Sequence, residues 1–178
     1  SVANFQKGFA NISVPSVLAT LVSDELDFPN LSMVGVDDRA AAYQAVSYLI
    51  QQGHRKIAVL GGPATSHPSM MRRQGAQQAM EDAGIRFEDK LYGLSNYDFE
   101  SAYHAMNGLL ARRAEFTALF AMSDVIAFGA IRALVSAGLR VPEDVSVIGF
   151  DGITMSRYCV PVMTTIVQPS EQIALQSI

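Results

Sequence analysis

Two residue types are almost missing from this chain, and two kinds of run are missing entirely. The 178 residues hold one cysteine, Cys159, and no tryptophan. A lone cysteine forms no internal disulfide and here lies in no metal-spaced cluster, so a reducing compartment fits best and no metal site is expected. The lack of tryptophan removes one common stacking platform and leaves that work to tyrosine and phenylalanine. No stretch of roughly 18 apolar residues occurs, so no membrane-spanning helix is expected. Seventeen acidic residues against 13 basic ones give a net charge of -4, and no basic run tracks a phosphate backbone. Direct contact with nucleic acid is therefore not expected of this stretch. The opening, S-V-A-N-F-Q-K-G-F, is no secretion signal. It lacks an initiator Met and enters mid-pattern, so a fragment of a longer chain is expected.

What is present is apolar and periodic. Hydrophobic residues make up 49% of the chain, enough for one large domain or two small ones. The run at Val145 to Phe150 is short, β-branched and apolar, bounded by Pro142, Glu143 and Asp144 before it and by Asp151-Gly152 after it. It reads as a strand buried on both faces, as in the middle of a parallel sheet. Further strands are expected at Val14 to Val22, Leu31 to Val36, Lys56 to Leu60, Leu91 to Leu94, Thr117 to Met122 and Met163 to Val167. Helices are expected between them. One runs from about Arg39 to Gln52, capped by Asp37 or Asp38 and ended by Gly53. Others run from about Ser69 to Ala83, Phe99 to Arg113, and Ser123 or Asp124 to Ala137, with one more from Ser170. Strands alternating with helices of roughly 12 to 15 residues indicate βαβ units and an α/β fold with a doubly wound parallel sheet.

In such a sheet, ligands bind beyond the carboxyl ends of the strands. Four βα junctions should meet there: Gly61 to Arg72, Asn96 to Asp98, Ser123-Asp124 and Asp151. Their polar groups differ in kind, which suits a neutral polyol better than a charged group. Asp151 can accept two hydrogen bonds, Arg72 is a forked donor, and Ser66 and Ser123 work both ways. Tyr97 and Phe99 offer apolar faces for the C–H side of a sugar or for a base. Each has a structural alternative. Asp151 can close an Asx-turn with Gly152, and Arg72 beside Arg73 can be a solvated helix face. Tyr97 and Phe99 can be core, and Ser123 can simply cap a helix. Asp124 reads as a helix-dipole carboxylate or a second cap candidate. His54 and His104 read as structural, His67 as a solvated loop residue, and Met70 and Met71 as gap-fillers.

Signals for catalysis are thin. Gly61-Gly62-Pro63 has neither G-x-G-x-x-G spacing nor a Walker lysine, and no G-x-S-x-G elbow is present. No arrangement of Cys, His and Asp points to an activated nucleophile. Binding rather than catalysis is expected, with no cofactor. A Rossmann-type enzyme would need a nucleotide at the Gly61-Gly62 turn.

The ordered blocks V-D-D-R-A-A-A-Y-Q-A-V-S-Y-L-I-Q-Q-G-H-R-K-I-A-V-L-G-G-P, R-R-Q-G, S-D-V-I-A-F-G-A, G-L-R-V-P-E-D-V-S-V-I-G-F-D and M-T-T-I-V-Q-P resemble the LacI/GalR family of bacterial transcriptional repressors. The resemblance runs from about Val14 to the chain end. It implies a periplasmic-binding-protein-like fold of two doubly wound parallel-sheet lobes, the first incomplete here, that dimerises and takes a small-molecule effector between the lobes. Residues 1–60 would be part of the N-terminal lobe, 61–164 the C-terminal lobe, and 165–178 the crossover strand and helix returning to the first lobe. By resemblance Arg72, in R-x-x-G, and Asp151, in G-F-D, grip the effector, and Tyr97 falls where the family often stacks an aromatic. Ser123 stands where many members carry Asn, and Thr20 where several carry a ligand-facing Asp. Asp37 and Gln168 would lie near the lobe junction, in signalling.

The resemblance thus implies a sugar or nucleoside effector, a homodimer, a cytoplasmic location and control of operator DNA. No helix-turn-helix is present in the sequence, so operator contacts are expected from an N-terminal domain outside it. A periplasmic sugar-binding protein of a transport system shares the fold and is the alternative.

Overall fold

A computed structural model describes residues 13–20, 27–113 and 115–178. Two parallel sheets organise them. β1 (Ser16–Ala19) pairs with β2 (Leu31–Val34) in a two-stranded sheet. The other sheet has five strands in the order β4-β3-β5-β6-β7, all parallel. They are β3 (Ile57–Gly61), β4 (Tyr92–Leu94), β5 (Ala118–Ala121), β6 (Ser146–Asp151) and β7 (Thr164–Val167). The helices are α1 (Asp38–Gln51), α2 (His67–Asp82), α3 (Phe99–Ala111), α4 (Asp124–Ser136) and α5 (Ser170–Gln176).

The expected α/β architecture is what forms, and its cause is visible in the strands. β3 and β5 are buried along their whole length and β6 along its four middle residues. Continuous apolar runs need helices over both faces of the sheet. The apolar stripe of α1 (Ala42, Ala45, Val46, Leu49) is buried against α2 and the sheet, while α3 packs on α4. α1 and α2 come close because residue 75 has no side chain: a Cβ on Gly75 would run into the backbone of Arg39 and Tyr43. From β3 the chain steps outward to β4, then returns across β3 to β5 and continues to β6. That reversal between β3 and β5 is a topological switch point, the place where a crevice opens at the strand ends.

Several boundaries moved for local reasons. α2 begins at His67 rather than Ser69, because Ser66 caps it and Pro68 is tolerated in a first turn. α3 is capped by Asp98, whose Oδ1 accepts from the Ser101 N–H at 2.7 Å. The first strand is four residues long, and the expected Leu21-Val22 end and Ser23 to Leu26 lie outside the described residues. Phe99 is about half exposed rather than core, and Met70 is exposed rather than filling a gap. The expected lobe boundary at residue 60 falls inside β3, so that strand and the α1 helix ahead of it go with the five-stranded sheet.

Candidate functional site

All four junctions expected to converge lie at the carboxyl edge of the one parallel sheet. At its centre, Arg72 and Asp151 meet: Nη1 of Arg72 stands 3.7 Å from Oδ1 of Asp151. The guanidinium is otherwise committed. Its Nε–H donates to Oδ1 of Asp38 at 2.7 Å, and Nη1 donates to the Met122 carbonyl. Its flat face lies 3.6 Å from the centroid of the Phe150 ring. Cation–π contact of this kind, out of water, is worth about 2 kcal/mol. Arg72 is only 6% exposed, so it is no solvated helix face.

Asp38 is the partner that the residue pattern did not reveal. Asp37 and Asp38 both looked like caps, but only Asp37 is one: its Oδ1 accepts from the Ala40 N–H at 2.9 Å. Asp38 is then the first residue of α1, buried, and reaches 34 residues along the chain to Arg72. The Ser123-Asp124 pair behaves alike. Ser123 caps α4 through the Ile126 N–H at 3.1 Å. Asp124, fully buried, accepts from the Ile153 N–H at 2.8 Å and from the Thr165 hydroxyl at 2.5 Å. It thereby ties α4 to the segment after β6 and to β7. The signal was available: two polar residues precede a helix that needs only one cap, so the second is free to act elsewhere.

Burial pushes the carboxyls of Asp38, Asp124 and Asp151 above the ordinary aspartate value of 3.8. Arg72 pulls Asp38 and Asp151 the other way, as Gln168 does Asp151 and Thr165 does Asp124, without cancelling the cost of leaving water. Asp151 ends β6 at φ 118°, with its side chain about a quarter exposed. Gln168 holds it twice. The side-chain amide donates to Oδ1 at 2.6 Å, and the Gln168 N–H donates to the Asp151 carbonyl at 3.1 Å. The Ile153 N–H, which an Asx-turn at Asp151 would need, donates to Asp124 instead.

A cavity of about 600 Å³ opens beside this cluster, between the end of β1 and the ends of β6 and β7. Thr20, Asp151, Gln168 and Ser170 line its polar side, and Ile153, Ile173 and Ala174 its apolar side. Thr20 sits at φ 69°, which turns the chain at the mouth. Arg72, Tyr97, Ser66 and Ser123 are not among its lining residues. Tyr97, at φ 61°, lays its ring over Gly62, where any Cβ would collide with it, and its hydroxyl is 3.5 Å from the Ser66 Oγ. His67 lies in the first turn of α2 rather than in a loop, and its Nδ1 is buried with no hydrogen bond among the described residues. His54 pairs with Thr117 at 2.9 Å, as a structural residue would. Among the described residues no group of three or more His, Cys, Asp or Glu could hold a metal ion, and no helix is long and apolar enough to cross a membrane.

Residues 46–178 match the family model of the periplasmic binding protein-like domain. The chain belongs to that family. Within it, the chain groups with LacI-type regulators. It is similar to the HTH-type transcriptional repressor CytR of Escherichia coli K12, at 38% identity over 163 residues, which is 92% of this chain and 47% of the repressor. Among solved structures it is similar to a sugar-binding transcriptional regulator of the LacI family from Escherichia coli, complexed with phosphate. There the TM-score is 0.84 and the identity 32%, covering 98% of this chain and 62% of that one. It is also similar to the transcriptional regulator CelR in complex with cellobiose, with a TM-score of 0.83 and 30% identity over 98% of this chain and 60% of that one. The chain spans about half the length of the curated relatives it matches. These relatives are transcriptional regulators rather than enzymes or transport receptors.

Proposed function

We propose that this chain is the effector-binding core of a LacI-type transcriptional repressor, taking a small sugar or nucleoside between two lobes. The observation that carries the reading is the 600 Å³ cavity with Thr20 on one side and Asp151 and Gln168 on the other. The two-stranded sheet belongs to one lobe, the five-stranded sheet to the second, and β7 with α5 returns the chain to the first. Asp151 accepts hydrogen bonds from ligand hydroxyls through the oxygen that Gln168 leaves open. Thr20 answers from the opposing lobe, and Arg72 holds Asp151 from behind. Tyr97, Ser66 and Ser123 complete the crevice at the ends of β3, β4 and β5, while Asp37 and Gln168 sit at the lobe junction. No catalytic step is involved.

A ligand that bridges Thr20 and Asp151 binds one lobe arrangement more tightly than the other, and that difference in affinity is all it has for shifting the equilibrium. In a homodimer the shift changes the spacing of two DNA-binding heads and so operator affinity. A cluster of exposed apolar side chains after β6 (Met155, Tyr158, Val160 and Val162) supports pairing with a second copy. The protein would act in the cytoplasm, with operator contacts made by a separate DNA-binding segment.

Titration calorimetry of the full-length protein against sugars and nucleosides tests this reading. A ligand should bind, and Asp151→Asn should weaken it at least tenfold, about 1.4 kcal/mol. Unchanged affinity in Asp151→Asn would remove the site from the cavity.

A further inference from the structure

We infer that Asp38 is a specificity residue: as the counterion of Arg72 it takes the guanidinium out of anion binding, and the crevice accepts uncharged, hydroxyl-rich ligands while rejecting phosphorylated or carboxylated ones. The inference rests on the crevice being the ligand site, and it names the chemical class that the site selects.

An arginine at the start of a helix, at the carboxyl edge of a parallel sheet, is by itself an anion receptor, since its fork matches a carboxylate or phosphate edge. Here two of its three nitrogens are engaged. Nε is spent on Asp38 at 2.7 Å, Nη1 on the Met122 carbonyl, and the ring face of Phe150 covers the plane at 3.6 Å. Asp151 takes the remaining electrostatic attention at 3.7 Å. One cation therefore faces two carboxylates, one 7% exposed and the other about a quarter exposed. The groups that act on these carboxylates from the packed elements are Asp37 and His67 near Asp38, and Asp124 near Asp151. The carboxylates outnumber Arg72 among the described residues, so the local balance is negative. What the cavity meets is Asp151, an acceptor, and the carboxamide and hydroxyls of Gln168, Thr20 and Ser170. An entering phosphate would face a carboxylate, and no lysine or arginine is among the described lining residues to offset it. A sugar hydroxyl would find an acceptor already oriented.

Asp38 decides this outcome because it is the partner at hydrogen-bonding distance. In Asp38→Asn the side chain at 38 keeps an oxygen for Nε but loses its charge, leaving that of Arg72 uncompensated there. Arg72 and Asp151 then balance, and the barrier to an anion falls.

Inorganic phosphate is the probe, so the test needs no knowledge of the natural effector. The full-length protein is melted with rising phosphate, against sodium chloride at matched ionic strength, as wild type, Asp38→Asn and Asp38→Asn/Arg72→Lys. Ligand that binds only the folded state raises the midpoint in proportion to its affinity. Wild type should show no phosphate-specific rise up to ~10 mM. Asp38→Asn should show a saturable rise, a gain in phosphate affinity of about tenfold or more, and the second substitution should remove it. Asp38→Ser serves in place of Asp38→Asn if the latter does not fold. A saturable wild-type rise would overturn the inference, as would the absence of any gain on neutralising Asp38. If phosphate behaves as expected but no sugar or nucleoside binds, the charge argument stands and the sugar reading falls.

Discussion

The molecule contains two Arg–Asp pairs of near-identical length that behave in opposite ways. Arg140 and Asp144 sit four residues apart after α4, Arg140 well exposed and Asp144 about a third exposed, with Nη2–Oδ1 at 2.7 Å and Nε–Oδ2 at 2.9 Å. The two-edged grip of Arg140 holds the Asp144 carboxyl down at about 2. Arg72 and Asp38 are 2.7 Å apart too, yet both are buried, and burial leaves the Asp38 carboxyl above its ordinary value. Distance is the same; water is the difference. In the open, pairing decides the charge at little cost. In the interior, the lost hydration outweighs even a contact partner, so the ion pair organises the site rather than stabilising the fold.

Removing the cation separates the two regions most sharply. Arg72→Ala leaves Asp38 and Asp151 facing each other without a counterion, and also strips the cover from Phe150. A loss of about 3–5 kcal/mol in urea unfolding is expected. A loss below about 1 kcal/mol would place this pair with exposed ones such as Arg140–Asp144. Asp38→Asn should be far milder, within about 1 kcal/mol, because a carboxyl raised by burial is one that folding prefers neutral and Asp151 still faces the arginine. Asp144→Asn should also cost no more than about 1 kcal/mol at neutral pH, the range of surface pairs.

Acid titration distinguishes the two pairs by sign. The folded-state value of Asp38 lies above 3.8, so its contribution is fully present below 3.8 and is lost as pH rises through the folded value. Asp124 and Asp151 act in the same direction. Asp144 is depressed, so its contribution is present above 3.8 and is lost as pH falls toward about 2. Urea midpoints followed across acid pH should therefore show Asp38→Asn flattening the decline above 3.8, and Asp144→Asn flattening the loss below it. If both substitutions flatten the same limb, the contrast between buried and exposed pairs is wrong.

The layout of the fold was legible because its signals are local. Apolar runs bounded by glycine and proline, as at Val145 to Phe150, mark strands without reference to the rest of the chain. So did the meeting of Arg72 with Asp151, which follows from parallel topology and the resemblance together. What escaped was the identity of the third charge. In Asp37-Asp38 and in Ser123-Asp124, two residues competed for one cap, and nothing within a turn of helix shows which will win. The loser's partner lies 34 residues on for Asp38, and 29 and 41 residues on for Asp124. Such pairings are set by tertiary packing, which no local window contains. Phe99 was misjudged for the related reason that an aromatic at a helix start has no fixed side until its neighbours are placed.

Thr20, Tyr97 and Asp151 each hold a backbone conformation that residues other than glycine rarely adopt, and each stands at or just after the carboxyl end of a strand. Glycine, the relaxed choice, stands at none of the three. A glycine at any of them would ease the main chain and, on the function proposed above, erase a group that meets the ligand, so robustness and recognition would pull in opposite directions on the same Cα atoms. Engineering this scaffold for heat resistance should therefore begin well away from the strand ends, and engineering it for a new ligand should begin there.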